Sequence, residues 1–375
     1  MPLKLPPDAT GIITVDLDAL QANWRALAER VAPAECAAVV KADAYGLGAA
    51  EVIPALELAG CRTFFVATPE EARGARLLAP KARVFALDGL FPGAAPLLVA
   101  ADVAPVLASL AEVREWASEA RHLSRRLPAA LQIDSGLNRL GLALDEIKTL
   151  VNEPNLLDAL DLRLVMSHLA CADDPAHPHN AKQRTAFNRR RALLPALPAS
   201  LAASDGLMLG SAFHYDLVRP GYALYGGQAF RSEPTPVSPV VTVKARVLQV
   251  RTLRAGDSVG YSATWQATRP TRLAIVAAGY ADGFARALSG ASGRKGGVVT
   301  IGGQKAPVVG RVSMDLITVD ITDVPGEVHR GDLATLIGPG LTIEAMGRTA
   351  GTIGYEVLTR LGTRFVRRHT GGGAC

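Results

Sequence analysis

Between residues 37 and 220, short apolar or β-branched runs recur eight times, separated by alanine-rich stretches of helical character. The runs are Ala37–Lys41, Thr63–Thr68, Arg83–Leu87, Val103–Leu107, Ala130–Asp134, Leu162–Ser167, Leu201–Ser204 and Asp216–Pro220. A strand followed by a helix, repeated at this pitch, lays parallel strands side by side, because each helix returns the chain to the same end. Stretches such as Leu144–Val151 and Ala181–Leu194 supply the returns. Eight units close a (β/α)8 barrel, whose functional groups stand at the C-terminal ends of the strands. Pro105 weakens the fourth run, and a doubly wound sheet stays open on the pattern alone.

The texture changes after Gly226-Gly227. Residues Arg231–Pro239 carry Pro234, Pro236 and Pro239 and read as a linker. Beyond it come alternating runs, Val240–Val250, Leu273–Ala277, Val298–Ile301, Ala306–Val309 and Leu316–Ile321, with helical periodicity only at Thr342–Ala350. A chain of 375 residues is too long for one ordinary core. The expectation is an α/β chain: an N-terminal (β/α)8 TIM-like barrel over residues 1–232, then a C-terminal mainly β-strand domain over 233–375. The segment up to Thr10 is left free to pack with the β domain.

Composition narrows the partners. The net charge is +5, and the basic runs Arg189-Arg190-Arg191, Arg125-Arg126 and Arg367-Arg368 lack interleaved aromatics. They read as solvated surface rather than a nucleic-acid face, while a weak positive field helps to draw anions. Cys36, Cys61, Cys171 and Cys375 are scattered and form no CxxC pair, as suits reduced thiols. Met1–Thr10 holds three prolines and no apolar signal core, and Ala94–Ala111 is broken by Pro96, Asp102 and Pro105. A cytoplasmic protein with no membrane segment is expected. His177-Pro178-His179, with Asp173 and Asp174 nearby, is a poor metal set, and no metal is expected.

Lys41 is the sharpest chemical signal. It follows Val39-Val40 directly, at the rim of a barrel mouth, where desolvation lowers an amine's pKa as a Schiff-base lysine requires. A lysine that merely snorkels from a strand end gives the same pattern.

The string VVKADAYGLGA around it resembles the cofactor-attachment motif of the alanine racemases, and the likeness runs along nearly the whole chain. It continues through QIDSGLNRLG, MSHLACADDPAHPHN, HYDLVRPGYALYG, VGYSAT, AAGYADGF, GRVSMD and TIGYE, in that family's order. The resemblance implies a pyridoxal 5'-phosphate (PLP) enzyme that interconverts L- and D-alanine, for peptidoglycan or for catabolism. It also implies a homodimer with shared active sites and a small amino acid as substrate. Lys41 then carries the cofactor and acts as one of two bases. The second base is Tyr261, in the β domain of the partner subunit. A phenol titrates near 10 in water, so a phenol base needs a partner at neutral pH. His168 matches the family histidine that hydrogen-bonds to this tyrosine; without the match it would read as a core histidine.

Arg219, in Val218-Arg219-Pro220-Gly221, is implied to donate to the pyridine nitrogen of the cofactor. A guanidinium keeps its proton, so the ring stays a weaker electron sink, which disfavours transamination. Tyr45, Ser204, the backbone of Gly221 and Tyr222, and Tyr355 are implied to hold the phosphate. Arg139 and the Met314 backbone N–H are implied to take the substrate carboxylate, with Asp315 shaping the loop. On residue type alone, Arg139 would simply pair with Asp134 and Gly221 would make a turn.

Three positions depart from the family pattern. Gln132 stands where many members have a lysine that becomes carbamylated and holds the carboxylate-binding arginine; its neutral amide, with or without a bound chloride, is expected to replace that group beside Arg139. Tyr222 replaces an aliphatic residue and Ser313 a cysteine. The alternatives weighed are a serine racemase, a decarboxylase and a cofactor-binding regulator without turnover. Arg219 speaks against the decarboxylase, which uses an acidic residue there. Residues 240–375, with Tyr261 and Met314, speak against the regulator.

Overall fold

Most of the apolar runs bury both faces of a short strand, and the helix after such a strand buries one stripe against the sheet. Thr63–Val66 and Ala104–Leu107 are buried throughout. The helix Leu110–His122 shows the matching pattern: Val113, Trp116, Ala117 and Ala120 are buried at a helical spacing. It is started by Ser109, whose hydroxyl accepts the Glu112 N–H at 3.3 Å.

A computed structural model describes residues 5–228 and 236–373. The chain divides into two compact units, one from Asp18 to Ser238 and one that joins residues up to Leu17 with Pro239–Gly371. In the first unit, seven parallel strands neighbour one another in sequence order: Ala38–Val39, Thr63–Val66, Arg83–Ala86, Ala104–Leu107, Leu127–Gln132, Leu160–Met166 and Ala199–Ser200. The eighth run, at Leu217–Val218, pairs in parallel with Glu35–Cys36. The Ala37 and Val39 N–H groups donate to the Val218 and Pro220 carbonyls, and the Arg219 N–H donates to Ala202. The eighth strand therefore lies between the seventh and the first, and the result is a TIM-like barrel. A doubly wound sheet, whose strand order reverses, is ruled out by this sequential order. Pro105 stays inside its strand, near the start, opposite Ala86.

The second unit is mainly strand. Its central strand, Val241–Leu253, pairs with Gly11–Asp16 and Leu333–Ile337 along its first half and with Thr271–Val276 along its second. Gly11–Asp16 also pairs in parallel with Val366–Thr370. Residues 231–235 of the proline-rich linker and Cys375 lie outside the described residues. Cys36 and Cys61 are buried thiols, and burial pushes Cys61 up to about 12. Among the described residues no helix is long and apolar enough to cross a membrane.

Candidate active site

Lys41 follows the first barrel strand, Ala38–Val39, by two residues, and the backbone after it is unusual. Ala42, Asp43, Ala44 and Tyr45 all lie in the left-handed region, with φ of 53–59° and ψ of 34–51°. Each such residue costs about 1–2 kcal/mol, so the turn must be held by its surroundings. Glu71 holds it: its carboxylate accepts the Ala42 N–H at 2.8 Å and the Ala67 N–H at 2.7 Å. Asp43 closes the turn by accepting the Ala49 N–H at 2.7 Å. Burial lowers the basicity of Lys41, the Arg139 charge lowers it further, and Asp88 and Glu71 oppose both.

Arg219 is buried beneath the mouth. Its guanidinium donates to Ser200 Oγ and to the Ser167 carbonyl, the latter at 2.6 Å, so both oxygens that hold it are neutral. Burial pulls it down to about 9, which leaves it charged at neutral pH. His168 follows the strand Leu160–Met166. Burial first, then the charges of Arg219, Arg139 and Lys41, push its imidazole down to about 3. The ring is therefore neutral at working pH and able to exchange a hydrogen bond with a phenol.

That depression sets a pH dependence. The unfolded chain takes up a proton at His168 near the ordinary 6.5, before the folded chain does. Stability is therefore lost as pH falls from 6.5 towards 3, by at most about 1.4 kcal/mol per pH unit. Thermal melting of the cofactor-free protein against pH is expected to show a shallower acid slope in His168→Asn. Identical slopes would remove His168 as the cause.

The loop carrying Arg139 is built on Asp134. One carboxylate oxygen, Oδ1, accepts the N–H groups of Gly136, Leu137 and Asn138 at 3.0–3.1 Å, and Asn138 is left-handed with φ 56°. Asp134 thus serves the loop backbone and an ion pair with Arg190 at 3.8 Å. For Gln132, the expectation of a direct contact with Arg139 needs correcting. Its amide Nε2 donates to the Leu140 carbonyl at 3.0 Å, so it braces the backbone next to Arg139 and does not engage the guanidinium. Arg139 itself is exposed.

Ser204 Oγ accepts the N–H groups of Gly221 and Ala223 at 3.0 and 3.1 Å, at the start of the tight turn Tyr222–Tyr225. A phosphate held here would share the Gly221 N–H with that hydroxyl. A Cβ on Gly221 would stand 2.3 Å from Tyr45 Oη, so only glycine allows this approach. Tyr45 and Tyr222 are buried, and the Tyr45 ring packs 4.9 Å from that of Tyr225. Burial pushes the Tyr45 phenol up, favouring its neutral, hydrogen-bonding form.

The β unit carries the rest. Tyr261 follows Gly260 at φ 76° and is 70% exposed. Arg311 ties down the next residue by donating to Ser262 Oγ at 2.9 Å. Met314 is also exposed, on a loop that packs so closely on Gly279 that a Cβ there would lie 2.2 Å from the Met314 carbonyl. Asp315 and Asp282 share Arg364, which fixes that loop. Ser313 closes it by donating to the Leu316 carbonyl at 2.8 Å and accepting the Leu316 N–H at 3.1 Å. Tyr355 opens the short helix Gly354–Thr359 as its second residue. Lys41, Tyr45, Arg139, His168, Ser204, Arg219, Gly221 and Tyr222 belong to the barrel unit; Tyr261, Met314 and Tyr355 belong to the β unit.

Sequence reasoning overlooked Glu71, Gln183 and Ser200. Glu71 sits three residues after Thr68, whose hydroxyl accepts its N–H at 3.2 Å, so the T-x-x-E capping pattern was the available signal. Gln183 and Ser200 give no signal short of the fold, because their partners are distant in sequence.

A barrel with a lysine of lowered basicity at a strand end and a buried arginine held by neutral oxygens defines a class: the cofactor-dependent (β/α)8 enzymes. The pattern of the alanine racemase N-terminal domain matches residues 15–229, and that of the C-terminal domain matches residues 240–369. The alanine racemase of Methylobacterium nodulans is 49% identical over 361 residues, covering 96% of both chains. A catabolic alanine racemase of Mesorhizobium japonicum is 44% identical, covering 97% of this chain and 94% of its own. The crystal structure of alanine racemase from Bartonella henselae, with covalently bound pyridoxal phosphate, superposes with a TM-score of 0.92 at 43% identity, covering 96% of this chain and 100% of that one. The chain belongs to the alanine racemase family, isomerases that depend on PLP. Its own residues would fit such a group: an amine for the aldehyde, a charged donor for the ring nitrogen, and a glycine-lined turn for the phosphate.

Proposed function

We propose that this chain interconverts L- and D-alanine with Lys41 and Tyr261 as bases on opposite faces of the substrate Cα. The bound PLP supplies the electron sink that makes the Cα proton labile. Lys41, weakened as a base in water by its burial, holds or takes the proton on one face. Tyr261, from the β unit of a second copy, does so on the other, with the neutral His168 imidazole as its hydrogen-bond partner. The 70% exposure of Tyr261 and the exposure of Met314 in one chain support a homodimer that covers them. Arg139 and the Met314 N–H orient the substrate carboxylate. Tyr45, Ser204, Gly221, Tyr222 and Tyr355 hold the phosphate.

The observation that carries the reading is Arg219. Charged at neutral pH and held by neutral oxygens, it donates to the pyridine nitrogen without giving up its proton, which suits racemisation over decarboxylation. Tyr355 and the partner subunit's Tyr261 would narrow the pocket to a methyl group. An added hydroxyl shifts selectivity by only ~1–3 kcal/mol, so slow turnover of serine is compatible. The product serves peptidoglycan or alanine catabolism, and the name of the Mesorhizobium relative supports the second.

The test is direct. Yellow holoenzyme incubated with pure L- or D-alanine is expected to bring both to the same racemic mixture, followed by optical rotation. Unchanged rotation, or faster loss with another amino acid, would overturn the assignment.

A further inference from the structure

Gln183 lies in the helix His179–Arg191, and its side chain is fully buried. A buried amide is costly unless its donors and acceptor find partners, so its contacts show what it is there to hold. Nε2 donates to the His168 carbonyl at 3.0 Å and to Ser135 Oγ at 3.4 Å, while Oε1 accepts the Ala170 N–H at 2.8 Å. Ser135 Oγ in turn shares a 2.8 Å hydrogen bond with Ser167 Oγ, and the Ser167 carbonyl accepts from Arg219. One amide therefore grips the backbone at His168 and at Ala170 and touches the start of the Arg139 loop. The same helix reaches that loop twice more, through His179 Nε2 to the Gly136 carbonyl at 3.2 Å and through Arg190 to the Asp134 carbonyl.

We propose that Gln183 is a positioning residue, which fixes the His168 imidazole relative to Arg139 and, through Ser135 and Ser167, to Arg219. A helix is rigid on the scale of a hydrogen bond, so groups hung from one helix face share one frame, and sites are most exact when supported this way. The inference rests on the reading in which His168 partners the base Tyr261. A shift of His168 by 1 Å then weakens one base and leaves Lys41, the other, in place.

The test is α-proton exchange of each alanine enantiomer in deuterated water, using holoenzyme. In Gln183→Met, exchange of L-alanine is expected to fall roughly hundredfold, the order of loss that a 1 Å misplacement causes, while D-alanine exchange through Lys41 stays within a few-fold of wild type. The double variant with His168→Phe is expected to lose no more than His168→Phe alone. Equal losses for both enantiomers, or losses that multiply in the double variant, overturn the proposal.

Gln183→Glu keeps the acceptor for Ala170 and can donate to His168 only when protonated. Its activity relative to wild type is expected to rise as pH falls, and a flat ratio counts against the proposal even if the methionine variant fails to fold. Should Tyr261→Phe alone leave both enantiomers exchanging at the wild-type rate, the two-base reading falls, while the double-variant comparison still reports whether Gln183 acts through His168.

Discussion

Lys41→Ala is expected to reduce racemisation to background, a loss of more than about 10⁴-fold. A single positioned base contributes up to ~10⁴, and on the proposed reading this residue has a second task, holding the cofactor. The two losses compound. The fold has no reason to suffer, because the amine is a desolvated cation beside Arg139 whose charge is already disfavoured. Removing it relieves that repulsion, so the melting temperature of the cofactor-free variant is expected to hold or rise. Borohydride should fix no cofactor to the variant, and an added small amine should restore part of the turnover. Residual activity above a few per cent of wild type would mean that another amine does the work.

The neighbours of Lys41 explain why the prediction is sharp. Four successive left-handed residues follow it, and the Glu71 carboxylate holds the first of them. This turn is rigid by construction, and a substitution at position 41 leaves those contacts, all made by backbone N–H groups and acidic side chains, intact.

The barrel was legible because its strands are buried on both faces and its helices on one, which writes two distinct periodicities into the chain. All eight runs pair within the barrel, although the seventh forms its strand at Ala199–Ser200, ahead of Leu201–Ser204. Gly11–Asp16, Leu333–Ile337 and Val366–Thr370 were missed. Val366–Thr370 is a sheet-edge strand with the sequence VRRHT and no buried residue, so it has no apolar alternation to read. Lys41 and Arg219 stood out by type and position. The role of Gln132 did not, since nothing in a sequence says that an amide will choose the Leu140 carbonyl over a guanidinium one residue away. Gln183 was invisible for the same reason: its partners lie 13 to 48 residues distant.

Tyr261→Phe is expected to slow racemisation by roughly three orders of magnitude, about 4 kcal/mol in the barrier, and to do so equally in both directions. The equality follows from thermodynamics, because the two enantiomers have the same free energy and no variant can change their equilibrium. Proton exchange with solvent is not bound in that way. On the two-base reading each face of Cα has its own acid–base group, so loss of the phenol leaves the lysine face working. D-alanine is therefore expected to keep exchanging its α-proton in Tyr261→Phe while L-alanine does not. The phenol is 70% exposed within one chain, so removing its hydroxyl leaves no group of its own chain unpaired and should not alter the melting temperature of the dissociated subunit. Mixing this variant with Lys41→Ala extends the argument to the assembly. If the two groups come from different copies, a mixed dimer pairs one wild-type lysine site with one wild-type tyrosine, and up to a quarter to a half of the activity should return, depending on how freely subunits exchange. Two inactive variants that stay inactive after subunit exchange has been verified would place both bases in the same chain and end the shared-site reading.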